Sequence, residues 1–123
     1  MNKFFLIAFL FLTLSISAQH WQIFTDSIAT LSSPRSADLN GDGVMDIVIG
    51  GGTDSVFSNN GIMAYNGVDG TLLWKISSRN EVFGSAIFQD ITGDGISDVI
   101  IAGREAQLLA IDGYNGLILW DYP

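Results

Sequence analysis

The chain is 123 residues long and acidic, with 13 Asp and Glu against 5 Lys and Arg and a net charge of −8. A length of this order corresponds to one modest domain. Beyond residue 18 the cations are Arg35, Lys75, Arg79 and Arg104, too few to neutralise a nucleic acid and poorly suited to an anionic bilayer. Cysteine is absent, which rules out a disulfide framework, a thiolate metal site and lipid attachment at an N-terminal Cys.

In chain order, the first predicted element is residues 1–18. Lys3, the apolar run from Phe4 to Leu14 and the small-residue end Ser15-Ile16-Ser17-Ala18 have the pattern of a secretory signal peptide, cleaved after Ala18. The run is shorter than the roughly 20 apolar residues of a membrane-spanning helix; a buried core helix is the alternative. Export would place the chain outside the cell or on its surface, where calcium is available as a staple. Residues 19–30 read as a lead-in. His20, the only histidine, has no partner motif and is assigned no role.

Residues 31–78 and 79–123 are two copies of one unit. Asp38-Leu39-Asn40-Gly41-Asp42-Gly43-Val44-Met45-Asp46-Ile47-Val48-Ile49 returns 52 residues on as Asp90-Ile91-Thr92-Gly93-Asp94-Gly95-Ile96-Ser97-Asp98-Val99-Ile100-Ile101. Gly70-Thr71-Leu72-Leu73-Trp74 returns 46 residues on as Gly116-Leu117-Ile118-Leu119-Trp120. The difference falls on the polar stretch Thr53 to Asn60, which reads as a loop insertion.

Turn residues cut each unit into four strands. They are Arg35 to Ala37, Asp46 to Gly50, Ile62 to Tyr65 and Thr71 to Ile76 in the first, and Ser85 to Gln89, Asp98 to Ala102, Gln107 to Ile111 and Leu117 to Asp121 in the second. Asn66-Gly67-Val68-Asp69-Gly70 and Asp112-Gly113-Tyr114-Asn115-Gly116 are the matching hairpin turns, rich in residues that tolerate positive φ. Four strands repeating in this way, with no helical periodicity after residue 18, predict an all-β fold of two four-stranded β-propeller blades. Ile47-Val48-Ile49 and Val99-Ile100-Ile101 read as strands buried on both faces. A β-sandwich is the rival, although sandwich strands do not normally repeat in groups of four. Propellers close with typically 4–8 blades, so two blades imply a fragment of a larger propeller, with a ring of several copies as the alternative.

Six of the acidic residues sit in the two repeated loops, and that clustering calls for a cation. In the first loop Asp38, Asn40 and Asp42 place side-chain oxygens at alternate positions. Gly43 permits the bend, Val44 offers its carbonyl and Asp46 closes the ring. The second loop repeats this with Asp90, Thr92, Asp94, the Ile96 carbonyl and Asp98. Six or more oxygens suit Ca²⁺, whereas Mg²⁺ demands stricter geometry, and the absence of His and Cys from the loops argues against zinc and copper. The opening also matches an EF-hand, but position 12 is Ile49 or Ile101 rather than Glu, and strand formers follow where a helix is required. Dockerin-like repeats fail on the same counts. The loops could also be solvated turns, since Asp and Asn favour turns, but carboxylates converging on one bend repel by a few kcal/mol at about 4–5 Å.

The segment Phe83-Gly84 followed by Asp90 to Gly103 resembles the FG-GAP (VCBS-like) repeat of integrin α-type propellers and their bacterial secreted relatives. The tail Leu109 to Trp120 resembles the blade-closing segment of quinoprotein (PQQ-like) propellers. The FG-GAP resemblance implies two structural Ca²⁺ sites, at Asp38, Asn40, Asp42, Val44 and Asp46 and at Asp90, Thr92, Asp94, Ile96 and Asp98. The chain departs from the pattern at Leu31-Ser32, in place of Phe-Gly, and at Ala102-Gly103-Arg104, in place of Gly-Ala-Pro.

Trp74 and Trp120, at the ends of apolar strands, read as packing between blades rather than as sugar platforms. Ser32, Ser33, Ser85 and Thr92 lack the His and acid that make a nucleophile. The functional expectation is a secreted, non-catalytic calcium-binding module for adhesion to an extracellular protein or glycan. The alternative is the propeller scaffold of a carbohydrate-active lyase or hydrolase whose active site lies elsewhere.

Overall fold

The computed structural model describes residues 20–25, 28–104 and 108–122, and the predicted signal peptide lies outside them. The described residues form eight strands and no helix; none of them provides a helix long and apolar enough to cross a membrane. β1 (Arg35–Ala37), β2 (Asp46–Gly50), β3 (Ser58–Tyr65) and β4 (Leu72–Ser78) make one four-stranded antiparallel sheet in the order β1-β2-β3-β4. β5 (Ile87–Gln89), β6 (Asp98–Ala102), β7 (Leu108–Ile111) and β8 (Ile118–Tyr122) make a second in the order β5-β6-β7-β8.

Both sheets are meanders of consecutive strands, and their registers coincide unit for unit. Ala37 pairs with Asp46 and Gln89 with Asp98, so the eight residues between them in each repeat form the loop of a β-hairpin. Each sheet also shifts register near the end of its third strand, between Ala64 and Tyr65 and between Ala110 and Ile111. Runs such as Ile47-Val48-Ile49 fit a pleated strand because their branched side chains pack on its surface.

The predicted bounds of β1, β2 and β6 match the structure residue for residue. Thr53–Asn60 is not wholly a loop. Ser58 to Asn60 belong to β3, where Ser58 pairs with Ser78 across a bulge and the Asn60 amide oxygen accepts from Lys75 Nζ, while Thr53 and Val56 pair as an isolated bridge. The apolar runs are only partly buried on both faces: Val48, Val99 and Ile101 are buried, whereas Ile47, Ile49 and Ile100 are half-buried.

One apolar core spans both sheets, with Leu39, Val48, Ile62, Trp74 and Ile76 meeting Val99, Ile101, Leu109 and Ile111. The connection between the sheets is bonded to each of them. Val82 N donates to Gly51 O, and Arg104 N donates to Glu81 O. The buried Glu81 carboxylate also takes Arg104 Nε at 2.8 Å, and the guanidinium sits over the Phe83 ring. Arg104 therefore helps anchor the sheets to one another.

Candidate metal centre

The two loops are built alike from the residues upward. Gly41 and Gly43 adopt φ of 77° and 84°, and Gly93 and Gly95 adopt 79° and 88°, values that cost other residues about 1–2 kcal/mol. These bends aim backbone N–H groups inward at the first aspartate. Asp38 accepts from Gly41 N at 2.7 Å and Gly43 N at 2.9 Å; Asp90 accepts from Gly93 N at 2.6 Å and Gly95 N at 3.0 Å. Asn40 Oδ1 accepts from Asp42 N, Asp42 Oδ1 from Val44 N and Asp94 Oδ1 from Ile96 N.

The last aspartate of each loop plays a different part. Asp46 and Asp98 are fully buried. Asp46 Oδ2 accepts from Leu39 N, and its Oδ1 accepts from Gly67 N in the β3–β4 turn. Asp98 Oδ2 accepts from Ile91 N and Thr92 N, and its Oδ1 from Gly113 N in the β7–β8 turn. Each carboxylate thus ties its loop to the far hairpin of its own sheet. Gly67 and Gly113 are required there, because a Cβ on either would collide with the carbonyl oxygen of Met45 or Ser97.

The same glycines are held from their other side. Gly67 O accepts from Trp21 Nε1 at 2.8 Å, and Gly113 O accepts from Trp74 Nε1 at 2.7 Å. The Trp21 ring lies where a Cβ of Gly70 would be, and the Trp74 ring where a Cβ of Gly116 would be. Loop aspartate, turn glycine and the indole of the preceding segment therefore form a continuous relay, present twice. Through it, Asp98 in the second sheet is coupled to Trp74 in the first.

Trp74, 7 % exposed, packs between the sheets as the sequence implies. Trp120, at the equivalent position of the second sheet, is 42 % exposed, and among the described residues no hairpin turn lies against it. Trp21 is a role the sequence reading missed. The signal was there, since Trp21-Gln22-Ile23 precedes Trp74-Lys75-Ile76 by 53 residues, close to the spacing of the loops.

The loop hydrogen bonds set the electrostatics. The Gly43 N–H, with Gly41 in support, holds the Asp38 carboxyl below the usual carboxylate range. Burial alone would raise Asp98, but the Thr92, Ile91 and Gly113 N–H groups and the Thr92 hydroxyl together outweigh it and hold this carboxyl low as well. A carboxyl whose pKa is depressed on folding contributes stability above its unfolded value, about 3.9, and loses that contribution as pH falls through the lower folded value. The urea midpoint is therefore expected to hold down to about pH 4 and to drop below it, and Asp98→Asn is expected to flatten that drop. An unchanged drop in the variant would remove Asp98 as its source.

For a cation, the loops offer oxygen atoms alone. Asp42 Oδ2 and Asp94 Oδ2 take no hydrogen bond among the described residues, and an oxygen that accepts one N–H retains a second lone pair. Asp38, Asn40 and Asp42 fold onto their own loop amides, and among the described residues no three His, Cys, Asp or Glu side chains gather at one point. The donors are oxygen atoms only, the chemistry that suits a hard ion rather than a soft one. Comparison with family models, with curated proteins and with solved structures gave no match for this chain.

Proposed function

We propose that the chain is an exported, non-catalytic binding module of two β-propeller blades of FG-GAP type, each holding one structural Ca²⁺ in its hairpin loop. The observation that carries this reading is the duplicated relay: in both units an oxygen-bearing loop ends on a buried carboxylate that is bonded through a turn glycine to a tryptophan. Stiffening such a loop stiffens the joint beyond it. The consecutive strand order within each sheet favours blades over a sandwich, whose Greek-key connections exchange strands between sheets.

The ions would be held by Asp38, Asn40, Asp42, Asp46 and the Val44 carbonyl, and by Asp90, Thr92, Asp94, Asp98 and the Ile96 carbonyl. Bound there, Ca²⁺ would offset the mutual repulsion of the carboxylates. The chain's own residues supply the rest: the glycine bends shape the loop, and Asp46 and Asp98 orient it on the sheet. An extracellular protein or glycan is the partner, met by exposed loops such as residues 53–57, where Val56 and Phe57 are uncovered.

Extracellular calcium modules bind at about 10⁻⁴–10⁻³ M, so calcium at about 5 mM adds roughly 1–2 kcal/mol per site by mass action. Two sites raise the melting temperature of a domain this size by about 10 °C. Thermal melts with and without calcium check this. The reading is overturned by no shift, or by an equal shift in the Asp42→Ala/Asp94→Ala double variant.

A further inference from the structure

The surface by which the first sheet holds the second recurs, uncovered, on the second sheet. In the first unit Leu39 is fully buried under the second unit, against Gly113, and Trp74 rests on Gly116. Their counterparts are Ile91, 43 % exposed, and Trp120. β8 is exposed along its whole length, with Ile118, Leu119 and Tyr122 beside Trp120. Large apolar side chains exposed together on one edge strand are of the kind that marks an interaction site.

The occupant follows from the two joints already formed. Both take an indole onto a hairpin turn whose glycine carbonyl accepts the Nε1 proton and whose second glycine leaves room for the ring. Among the described residues there are two such turns. Asp112 to Gly116 is filled by Trp74 of the adjoining sheet, a joint backed by the shared core. Asn66 to Gly70 is filled by Trp21, on a short segment in which Gln22, Phe24 and Thr25 are exposed. Trp21-Gln22-Ile23 carries the same chemistry as Trp120-Asp121-Tyr122, but without a sheet behind it.

We propose that β8 and the Ile91 loop are a docking face for a second copy of this chain, whose Asn66–Gly70 turn takes Trp120 in place of its own Trp21. Trp120 Nε1 donates to Gly67 O of that copy, its ring lies on Gly70, and Ile91 takes the place that Leu39 holds in the internal joint. The contact is heterologous, so copies add head to tail and either close into a ring or extend. It does not depend on an ion in the loops.

Sedimentation equilibrium on the purified chain tests this. The chain is expected to associate at about 100 μM, and Trp120→Ala to weaken association about 30-fold, the scale of a central aromatic anchor. Trp21→Ala is expected to strengthen it, because the acceptor turn no longer carries a competitor. Gly70→Ala, which puts a methyl group where the ring must lie, is expected to abolish it and so separates this docking from unspecific stickiness. Circular dichroism confirms that each variant is folded. Monomers at this concentration for both the parent chain and Trp21→Ala would overturn the proposal. So would association that Trp120→Ala or Gly70→Ala leaves unchanged.

Discussion

Replacing Asp98 with asparagine is expected to lower stability by roughly 3 kcal/mol, a large share of what a small domain has. The carboxylate is fully buried and accepts from Ile91 N and Thr92 N on one oxygen and from Gly113 N on the other. An amide of the same shape has one acceptor oxygen, so its NH₂ must face an N–H donor on one side. Either the loop amides or the turn amide then stay buried without a partner. Asp46→Asn should act similarly through Leu39 N and Gly67 N. Urea unfolding reads the effect as a lower midpoint at unchanged slope. A midpoint equal to that of the parent chain would mean that the buried carboxylate is not what joins loop to turn.

Trp74→Ala is expected to cost about 3–5 kcal/mol, the range for emptying a large aromatic site in a core. The indole fills the joint between the sheets, lies on Gly116 and donates to Gly113 O. Its removal leaves a cavity and takes a donor from a buried carbonyl. Trp120→Ala is the internal control. It occupies the equivalent strand position but is exposed, so in dilute solution its effect is expected within about 0.5 kcal/mol. Comparable losses for both variants would contradict the assignment of Trp74 alone to the joint.

These two tryptophans also show what the sequence could and could not say. The repeat, the strands and the hairpin turns were legible because turn residues, glycine placement and β-branched runs are local signals. Trp74 and Trp120 carry the same local signal, yet one is buried and the other open, because burial depends on whether another turn lies against the ring. Trp21 was passed over for the converse reason: a short lead-in looks like a linker until the Gly67 turn is seen to hold it. β3 begins four residues earlier than predicted, since Ser58, Asn59 and Asn60 lack strand character and Ser58 finds a partner only because β4 extends past the bulge to Ser78.

In the loops, the spacing of oxygen-bearing residues was readable, but the division of labour among them was not. Asp46 and Asp98 read as ring-closing ligands. They are buried as well, and accept from turn amides 21 and 15 residues away, contacts that no local pattern announces. Asp38 and Asp90, by contrast, bond amides three and five residues ahead, as the loop glycines suggest.

The central claim is that each hairpin loop is a calcium site, and calorimetric titration of Ca²⁺ into the metal-free chain addresses it directly. The account predicts saturable binding of two ions per chain, reduced to one by Asp94→Ala. A titration with no saturable heat, or with a stoichiometry that Asp94→Ala leaves unchanged, would contradict it.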